Sequence, residues 1–277
     1  MILSAVIITH NEEANIARTL ASVQLLVADG RGEIIVVDSG STDRTVAIAK
    51  SYGAKVFVEE WRGYAAQKNS AIDKATGDWI LSLDADEEVE PALATEINKL
   101  FPTNPPSREE VQAKAMELPH GVVIAITGYW IPRKNGFLGR WIKRGGYWPD
   151  PKLRLFRRDM ARFENRAVHE DAHLTDGMAG HLNGALLHHS YPTLADYIDH
   201  MNRYSSLGAE MVAAKGPVRF SVFNTVMRPG ATFIYNYFFR LGFLDGREGL
   251  LLHLYHAMYV SWKYAKAWEL GRGRNSR

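Results

Sequence analysis

The sequence predicts an α/β fold, a mostly parallel sheet with helices on both faces, followed by a helical C-terminal appendage. Three observations predict it. Short apolar runs alternate with helix-periodic segments through the first hundred residues. The runs are apolar at successive positions, as in strands buried on both faces. From Val218 the alternation gives way to aromatic-rich, helix-periodic sequence.

Taken in order, Ala5 to Ile8 reads as the first strand, and Asn11 to Gln24 as a helix with Ile16, Leu20 and Val23 on one face. Ile34 to Val37, Lys55 to Val58 and Trp79 to Leu83 are the next strands, separated by helices over Thr45 to Tyr52 and Tyr64 to Ala75. A fourth helix covers Pro91 to Phe101. Gly53 stands where a helix C-cap belongs and Pro91 where a first turn belongs. Residues 102–121, with Pro102, Pro105, Pro106 and Pro119, form a break, after which Val122 to Ile131 and Lys152 to Phe156 resume as strands. The predicted domain runs over 1–215, in two halves at 1–101 and 122–215. Amphipathic helices fill 216–277.

A chain of 277 residues can bury a full core, and 46% hydrophobic with 23% charged residues is an ordinary globular composition. The absence of cysteine excludes disulfides, zinc-thiolate sites and thiol nucleophiles, and fits a reducing compartment. The start, Met1-Ile2-Leu3-Ser4-Ala5-Val6-Ile7-Ile8, lacks a basic region and reads as a strand, not a secretory signal.

Chemistry gathers at the carboxyl ends of the predicted strands, where α/β sheets bind ligands. The most informative run is Trp79-Ile80-Leu81-Ser82-Leu83-Asp84-Ala85-Asp86, an apolar strand ending in two carboxylates. In extended backbone residues i and i+2 point the same way, so Asp84 and Asp86 are expected to converge on one divalent cation. Thr9-His10-Asn11-Glu12-Glu13 follows the first strand and opens a helix whose N-terminus is expected to offer free amides. Asp38-Ser39-Gly40-Ser41-Thr42-Asp43 follows the second, with Asp38 suited to accept from a uracil imide and Ser41 or Thr42 as helix cap. Gln67-Lys68-Asn69 places Lys68 near a ribose or diphosphate.

Between Arg133 and Arg166, eleven Lys and Arg face three acids, and Trp141, Tyr147, Trp148 and Phe156 are interleaved. Such a patch suits nucleic acid, a phosphorylated substrate or an anionic membrane surface. Arg154 and Arg157 are read as sharing a face of one strand, where their planar forks suit phosphate. From Phe220 to Phe239 aromatics crowd a segment carrying Arg219, Arg228 and Arg240. Leu251, Tyr255, Met258, Trp262 and Ala265 then form one helical stripe. Neither stretch has the about 18 to 20 uncharged residues of a spanning helix; both suit the membrane interface, with Lys263, Lys266, Arg272, Arg274 and Arg277 toward anionic lipid. Contact with a twin subunit explains the same helices, so a homo-oligomer stays open.

The ordered set of strand-end motifs resembles family 2 glycosyltransferases of the GT-A fold. The runs Trp148-Pro149-Asp150-Pro151-Lys152-Leu153-Arg154-Leu155-Phe156-Arg157, Val168-His169-Glu170 and Gly242-Phe243-Leu244-Asp245-Gly246 resemble the branch that adds a β-1,4-linked glucose to the lipopolysaccharide inner core. That resemblance implies a nucleoside-diphosphate sugar, UDP-glucose in this branch, over the strand ends. Its base lies near Asp38 and its diphosphate is bridged to Asp86 by Mg2+ or Mn2+. It implies transfer with inversion to a lipid-linked glycan at the cytoplasmic face of the cell membrane, with Glu170 as general base, Asp171 as its rival, and His169 orienting the pair or holding the departing diphosphate. His188 is a candidate for the metal or the diphosphate, and a buried hydrogen-bonding role suits it equally. Thr9, Asn11, Glu12, Ser39, Gln67, Arg154 and Arg157 complete the expected donor site. A polyprenyl phosphate or a protein side chain is the alternative acceptor. A sugar nucleotidyltransferase would carry a glycine-rich basic loop where residues 9–13 are acidic. A non-catalytic membrane or nucleic-acid module would not require Asp38, Asp86 and Glu170 together; nucleic acid is not an expected partner.

Overall fold

A computed structural model describes residues 2–101, 126–164 and 171–274. The elements are β1 (Leu3–Thr9), α1 (Ile16–Val27), β2 (Gly32–Asp38), α2 (Thr45–Ser51), β3 (Lys55–Val58), α3 (Tyr64–Lys74), β4 (Trp79–Asp84), β5 (Glu87–Val89) and α4 (Pro91–Leu100). They continue through β6 (Ile126–Ile131), β7 (Arg133–Phe137), β8 (Arg140–Trp141), β9 (Lys152–Arg157), β10 (Ala161–Phe163), β11 (Ala172–Leu174), β12 (Met178–His181) and β13 (Leu186–Tyr191). Then come α5 (Leu194–Ala213), α6 (Arg228–Ile234) flanked by π-helical Phe223–Met227 and Tyr235–Phe239, a 3-10 turn Gly242–Asp245, and α7 (Gly246–Arg274).

The chain divides into two compact units: residues 1–133, 151–166 and 170–187 form the first, and 134–150, 167–169 and 188–277 the second. The first is built on a seven-stranded sheet of order β12-β6-β9-β4-β1-β2-β3. β3, β2, β1 and β4 are parallel, and of the seven β9 alone is reversed. Because strand side chains alternate, the doubly apolar runs feed two cores. Leu3, Ala5, Ile7, Val36, Leu81 and Leu83 join Ile16, Leu20 and Leu93 of α1 and α4 on one face; Val6, Ile8, Ile35, Val37 and Ile80 join Ala71 and Ile72 of α3 on the other. The predicted strands and helices of the first hundred residues are all present, with shifted ends. Gly53, at φ +76°, follows α2 as its cap and Pro91 opens α4.

Two local expectations are corrected and one lies outside the described residues. The first helix begins at Ile16, not Asn11, because Asn11 adopts φ +53° and residues 10–15 fold as a loop and turn. Ser41 and Thr42 do not cap α2, which starts at Thr45. Residues 122–125 of the predicted strand 122–131, like the proline-rich break, lie outside the described residues.

In the second unit the β7–β8 hairpin pairs Gly136 with Trp141 and Phe137 with Arg140. α5 opens on a capping box in which Thr193 and Asp196 bond reciprocally. Phe137, Ile142, Tyr197 and Leu252 form its core, with Leu251 and Tyr255 partly buried against it. The buried face of α7 runs through Gly249, Leu252, His253, Ala257, Val260 and Ala267, so the predicted stripe is displaced and its Met258 is exposed. The Gly242 to Gly246 motif has a packing reason: a Cβ on Gly242 would lie 2.3 Å from His253 Nε2. Buried Asp245 accepts from the amides of Lys143 (3.1 Å) and Arg144 (2.8 Å). Among the described residues no helix is long and apolar enough to cross a membrane.

One carboxylate ties the amino edge of the sheet. Glu33 on β2 accepts from Ser4 Oγ (2.8 Å), Thr76 N (2.6 Å) and Lys55 Nζ (2.7 Å). Burial alone would raise its carboxyl, but Lys55, Thr76 and Ser4 outweigh burial and bring it down to about 2. A folded pKa below the ordinary value gives stability above that value, lost as pH falls through the folded one. Glu33→Gln is expected to lower the melting temperature at pH 7, with the difference from the unaltered protein shrinking as pH drops from about 4.5 toward 2; thermal denaturation across pH checks it.

Candidate functional site

The order β3-β2-β1-β4 reverses direction of build between β1 and β4, which makes their carboxyl ends the sheet's switch point. Register places the functional positions level, with Thr9 opposite Asp38 and Ile8 opposite Asp84.

The loops after β1 and β2 are stitched together by short polar side chains. The amides of Asn11, Glu12 and Glu13 donate to Ser41 Oγ (2.8 Å), Thr45 Oγ1 (2.8 Å) and Asp43 Oδ2 (3.1 Å), and Asn11 Oδ1 accepts from Thr42 N (2.9 Å). The amides expected to be free for ligand are therefore engaged. Asparagine tolerates the left-handed backbone at position 11 better than other non-glycine residues. Asp38 is wholly buried and accepts from Gly40 N (2.9 Å), Ser41 N (2.8 Å) and Ser41 Oγ (2.5 Å). It shapes its own loop. Ser39 Oγ accepts from Gln67 Nε2 at 3.0 Å, bringing α3 to the same place. Thr9 Oγ1 and Gln67 Oε1 are buried without hydrogen-bond partners among the described residues, a costly state that a polar ligand would relieve.

At the end of β4 the backbone leaves the extended form: Ala85 and Asp86 make a turn, so the i, i+2 convergence of Asp84 and Asp86 does not apply there. Asp84 instead binds Lys68 Nζ (2.8 Å) and Arg154 Nη2 (2.5 Å). Burial alone would raise its carboxyl, but Arg154 and Lys68 outweigh it and hold the group well below the usual carboxylate range. Arg154 also reaches Glu87 (2.7 Å), which Arg133 approaches at 3.2 Å. Glu12 is displaced the other way, raised first by burial and then by the negative charges of Asp86, Asp43 and Asp84, against a bond from Asn15.

Arg154 and Arg157 do not share a face. A spacing of three in a strand puts them on opposite sides, and Arg154 is buried while Arg157 is exposed. Asp171 pairs with Lys152 at 3.2 Å. His169 and Glu170 lie outside the described residues. In the second unit His188 Nδ1 lies 2.8 Å from Asn135 Oδ1 and 2.7 Å from Ser190 Oγ. Asn135 Nδ2 donates to Asp150 at 3.0 Å, so Oδ1 faces the ring and Nδ1 carries the proton.

Residues 4–162 match the sequence model of Glycosyl transferase family 2. The chain belongs to this family. An uncharacterized glycosyltransferase of Rickettsia typhi is 32% identical over 99% of this chain and 89% of its own length. The lipopolysaccharide core biosynthesis glycosyltransferase LpsC of Rhizobium meliloti is 30% identical over 96% of this chain and 92% of its own. A mannosyltransferase of Pyrobaculum calidifontis, solved with GDP-Man and Mn2+, superposes with a TM-score of 0.50 at 16% identity, covering 99% of this chain and 86% of that one. The fold of this glycosyltransferase is accordingly the GT-A fold, and its strand-end cluster is the candidate donor site.

Among the described residues of the glycosyltransferase no three acids or histidines are grouped to enclose a metal ion. Mg2+ is commonly held by one or two carboxylates with substrate phosphates completing its shell, and Asp86, in the turn that follows β4, is a carboxylate at the carboxyl edge of the sheet. The residues fit a cation that arrives with a diphosphate.

Sequence reasoning passed over Glu87, Arg133, Asn135 and Asp150. Glu87 had a signal: it alternates with Val89 in β5, and both are buried. Asp38→Asn turns an amide toward the donors that the carboxylate now satisfies. It is expected to cost the glycosyltransferase about 1–3 kcal/mol of stability, measured by urea denaturation, with weaker donor binding.

Proposed function

We propose that this glycosyltransferase moves a hexose, glucose from UDP-glucose, to a hydroxyl of a lipid-linked glycan such as the lipopolysaccharide inner core, inverting the anomeric configuration. The observation that carries the reading is the level convergence of Thr9, Asp38 and Asp84 at the switch point, with Thr9 Oγ1 and Gln67 Oε1 buried and unpartnered beside it. Such a polar floor suits a nucleotide sugar. The likeness to LpsC along most of both chains supports the acceptor class.

Loops 9–13 and 38–43 and the side chain of Gln67 seat the nucleotide, and Lys68 offsets its negative charge. Asp86 would hold Mg2+ or Mn2+, which when bound neutralises the charge developing on the departing diphosphate. Glu170 takes the proton of the acceptor hydroxyl as it attacks the face opposite the leaving group, and Asp171, paired with Lys152, is the second candidate. Because inversion is a single displacement, no covalent enzyme intermediate forms.

The second unit supplies the location. Phe223 (62%), Phe239 (74%), Met227, Tyr235 and Phe238 are exposed in and beside the π-helical segments, with Arg219, Arg228 and Arg240 among them in sequence. Exposed apolar surface with interspersed cations suits the anionic inner face of the cell membrane, where the acceptor is presented.

UDP-glucose with Mn2+ is expected to yield UDP in the presence of acceptor. Glu170→Gln is expected to keep donor binding while losing about 10²- to 10⁴-fold in turnover, and Asp86→Ala to lose metal-dependent donor binding; normal transfer by Glu170→Gln would refute the base assignment. Replacing Phe223 and Phe239 by Asp is expected to move the full chain from floated anionic liposomes to the soluble fraction, and unchanged flotation would remove the membrane assignment.

A further inference from the structure

We propose that Arg154 is a positioning residue for the turn that carries Asp86, and that Asp84 is its counter-ion and not a ligand to the cation. The inference rests on the metal-dependent donor reading given above. It concerns a set of charges that lies under the turn and that the reaction itself does not use.

Arg154 stands on β9, the antiparallel neighbour of β4, and is 4% exposed. Its Nη2 reaches Asp84 on one side of the turn (2.5 Å) and Glu87 on the other (2.7 Å). One guanidinium thus clamps both ends of the segment Asp84-Ala85-Asp86-Glu87. Glu87 is 0% exposed; its second oxygen accepts from the Asp84 amide at 3.0 Å, and Arg133 approaches the first at 3.2 Å. Asp84 has one oxygen against Arg154 and the other against Lys68 at 2.8 Å. Both oxygens of Asp84 are therefore held by cations, whose charges oppose the approach of a divalent ion.

The count of charges supports the same assignment. Asp84 and Glu87 bring two negative charges, and Lys68, Arg133 and Arg154 three positive ones. With three positive charges against two, the set already carries an excess positive charge without a divalent ion, and removing Asp84 enlarges that excess. Lysine in place of Arg154 would keep the charge but lose the planar guanidinium whose single Nη2 meets both carboxylates. Burial also separates Arg154 from phosphate recognition, since its Nε is sequestered and Nη2 is already shared.

The test measures Mn2+ binding to the full chain in the presence of UDP, by calorimetry and by the electron paramagnetic resonance of free Mn2+, with melting temperature recorded for every variant. Asp86→Asn is expected to abolish measurable binding. Arg154→Gln and Arg154→Lys are each expected to weaken it by about 10- to 100-fold, the range for groups that orient a metal ligand. Asp84→Asn alone weakens it too, by stranding Arg154 and Lys68. Arg154→Gln decides: it removes a positive charge and releases an oxygen of Asp84, so it would tighten Mn2+ binding if Asp84 were a ligand, and unchanged or tighter binding would overturn the proposal. Should Arg154→Gln lack a cooperative melt, Arg154→Lys is read for the same loss. Absence of Mn2+ binding by the unaltered chain with UDP would overturn the donor reading and this inference with it; binding that Arg154→Gln does not weaken overturns the inference alone.

Discussion

Half-buried Asp84 at the end of β4 and wholly buried Glu87 after the turn are held only with cations beside them, and Arg154 is the group that contacts both. This constraint reaches into the topology. The reversed strand β9 lies beside β4 and so brings a guanidinium to the carboxyl end of a parallel neighbour. Leu155 pairs with Leu81 and Phe156 with Ile80 in the hydrophobic layers, and Arg154 follows where the apolar register of β4 runs out. The same antiparallel pairing thus completes the core and supplies the cation.

Around that fixed point the site is assembled from short side chains. Asn11, Ser41, Thr42, Asp43 and Thr45 bond loop to loop, and none is long enough to do so unless the ends of β1 and β2 are level. Short side chains lose little rotamer entropy on ordering, so many such bonds stiffen a loop at small cost. Precision in the donor site then comes from the register of the sheet and passes outward through Asp38 to the loop amides. The Thr9 and Gln67 oxygens, buried and unpartnered among the described residues, lie within this stiff frame, where a loop cannot easily turn to satisfy them.

The strands of the first unit were legible because each carries apolar residues on both faces, a pattern that few other elements share. The positions of the strand-end motifs followed from that alone. Their conformations did not. Asp84 and Asp86 were read as extended neighbours, whereas the strand stops between them and the groups that hold Asp84 there, Glu87 and Arg154, come from β5 and β9. The face of Arg157 was misread where a period of two should have been applied strictly. In α1 the helical periodicity was correct from Ile16 onward, but the preceding polar residues belong to a loop whose bonds lead to a segment about 30 residues away, beyond any local signal.

The helix α7 shows a different kind of illegibility, and it has a physical consequence. Periodicity assigns the large residues of an amphipathic helix to the core, yet α7 buries Gly249, Ala257, Val260 and Ala267 along with Leu252 and His253, and exposes Leu250, Leu254, Met258 and Leu270. Small residues face inward because neighbouring backbone comes close: a Cβ on Gly249 would meet the Gly242 carbonyl at 2.3 Å. A helix packed this way forgoes part of the hydrophobic gain open to it in water, since Leu250, Leu254, Met258 and Leu270 stay hydrated. The lost gain returns only where the outer face also leaves water. Together with the exposed aromatics of residues 220–244, this inverted distribution favours an apolar surround for the second unit and gives the proposed membrane surface a basis in packing, independent of the charge of its arginines and lysines.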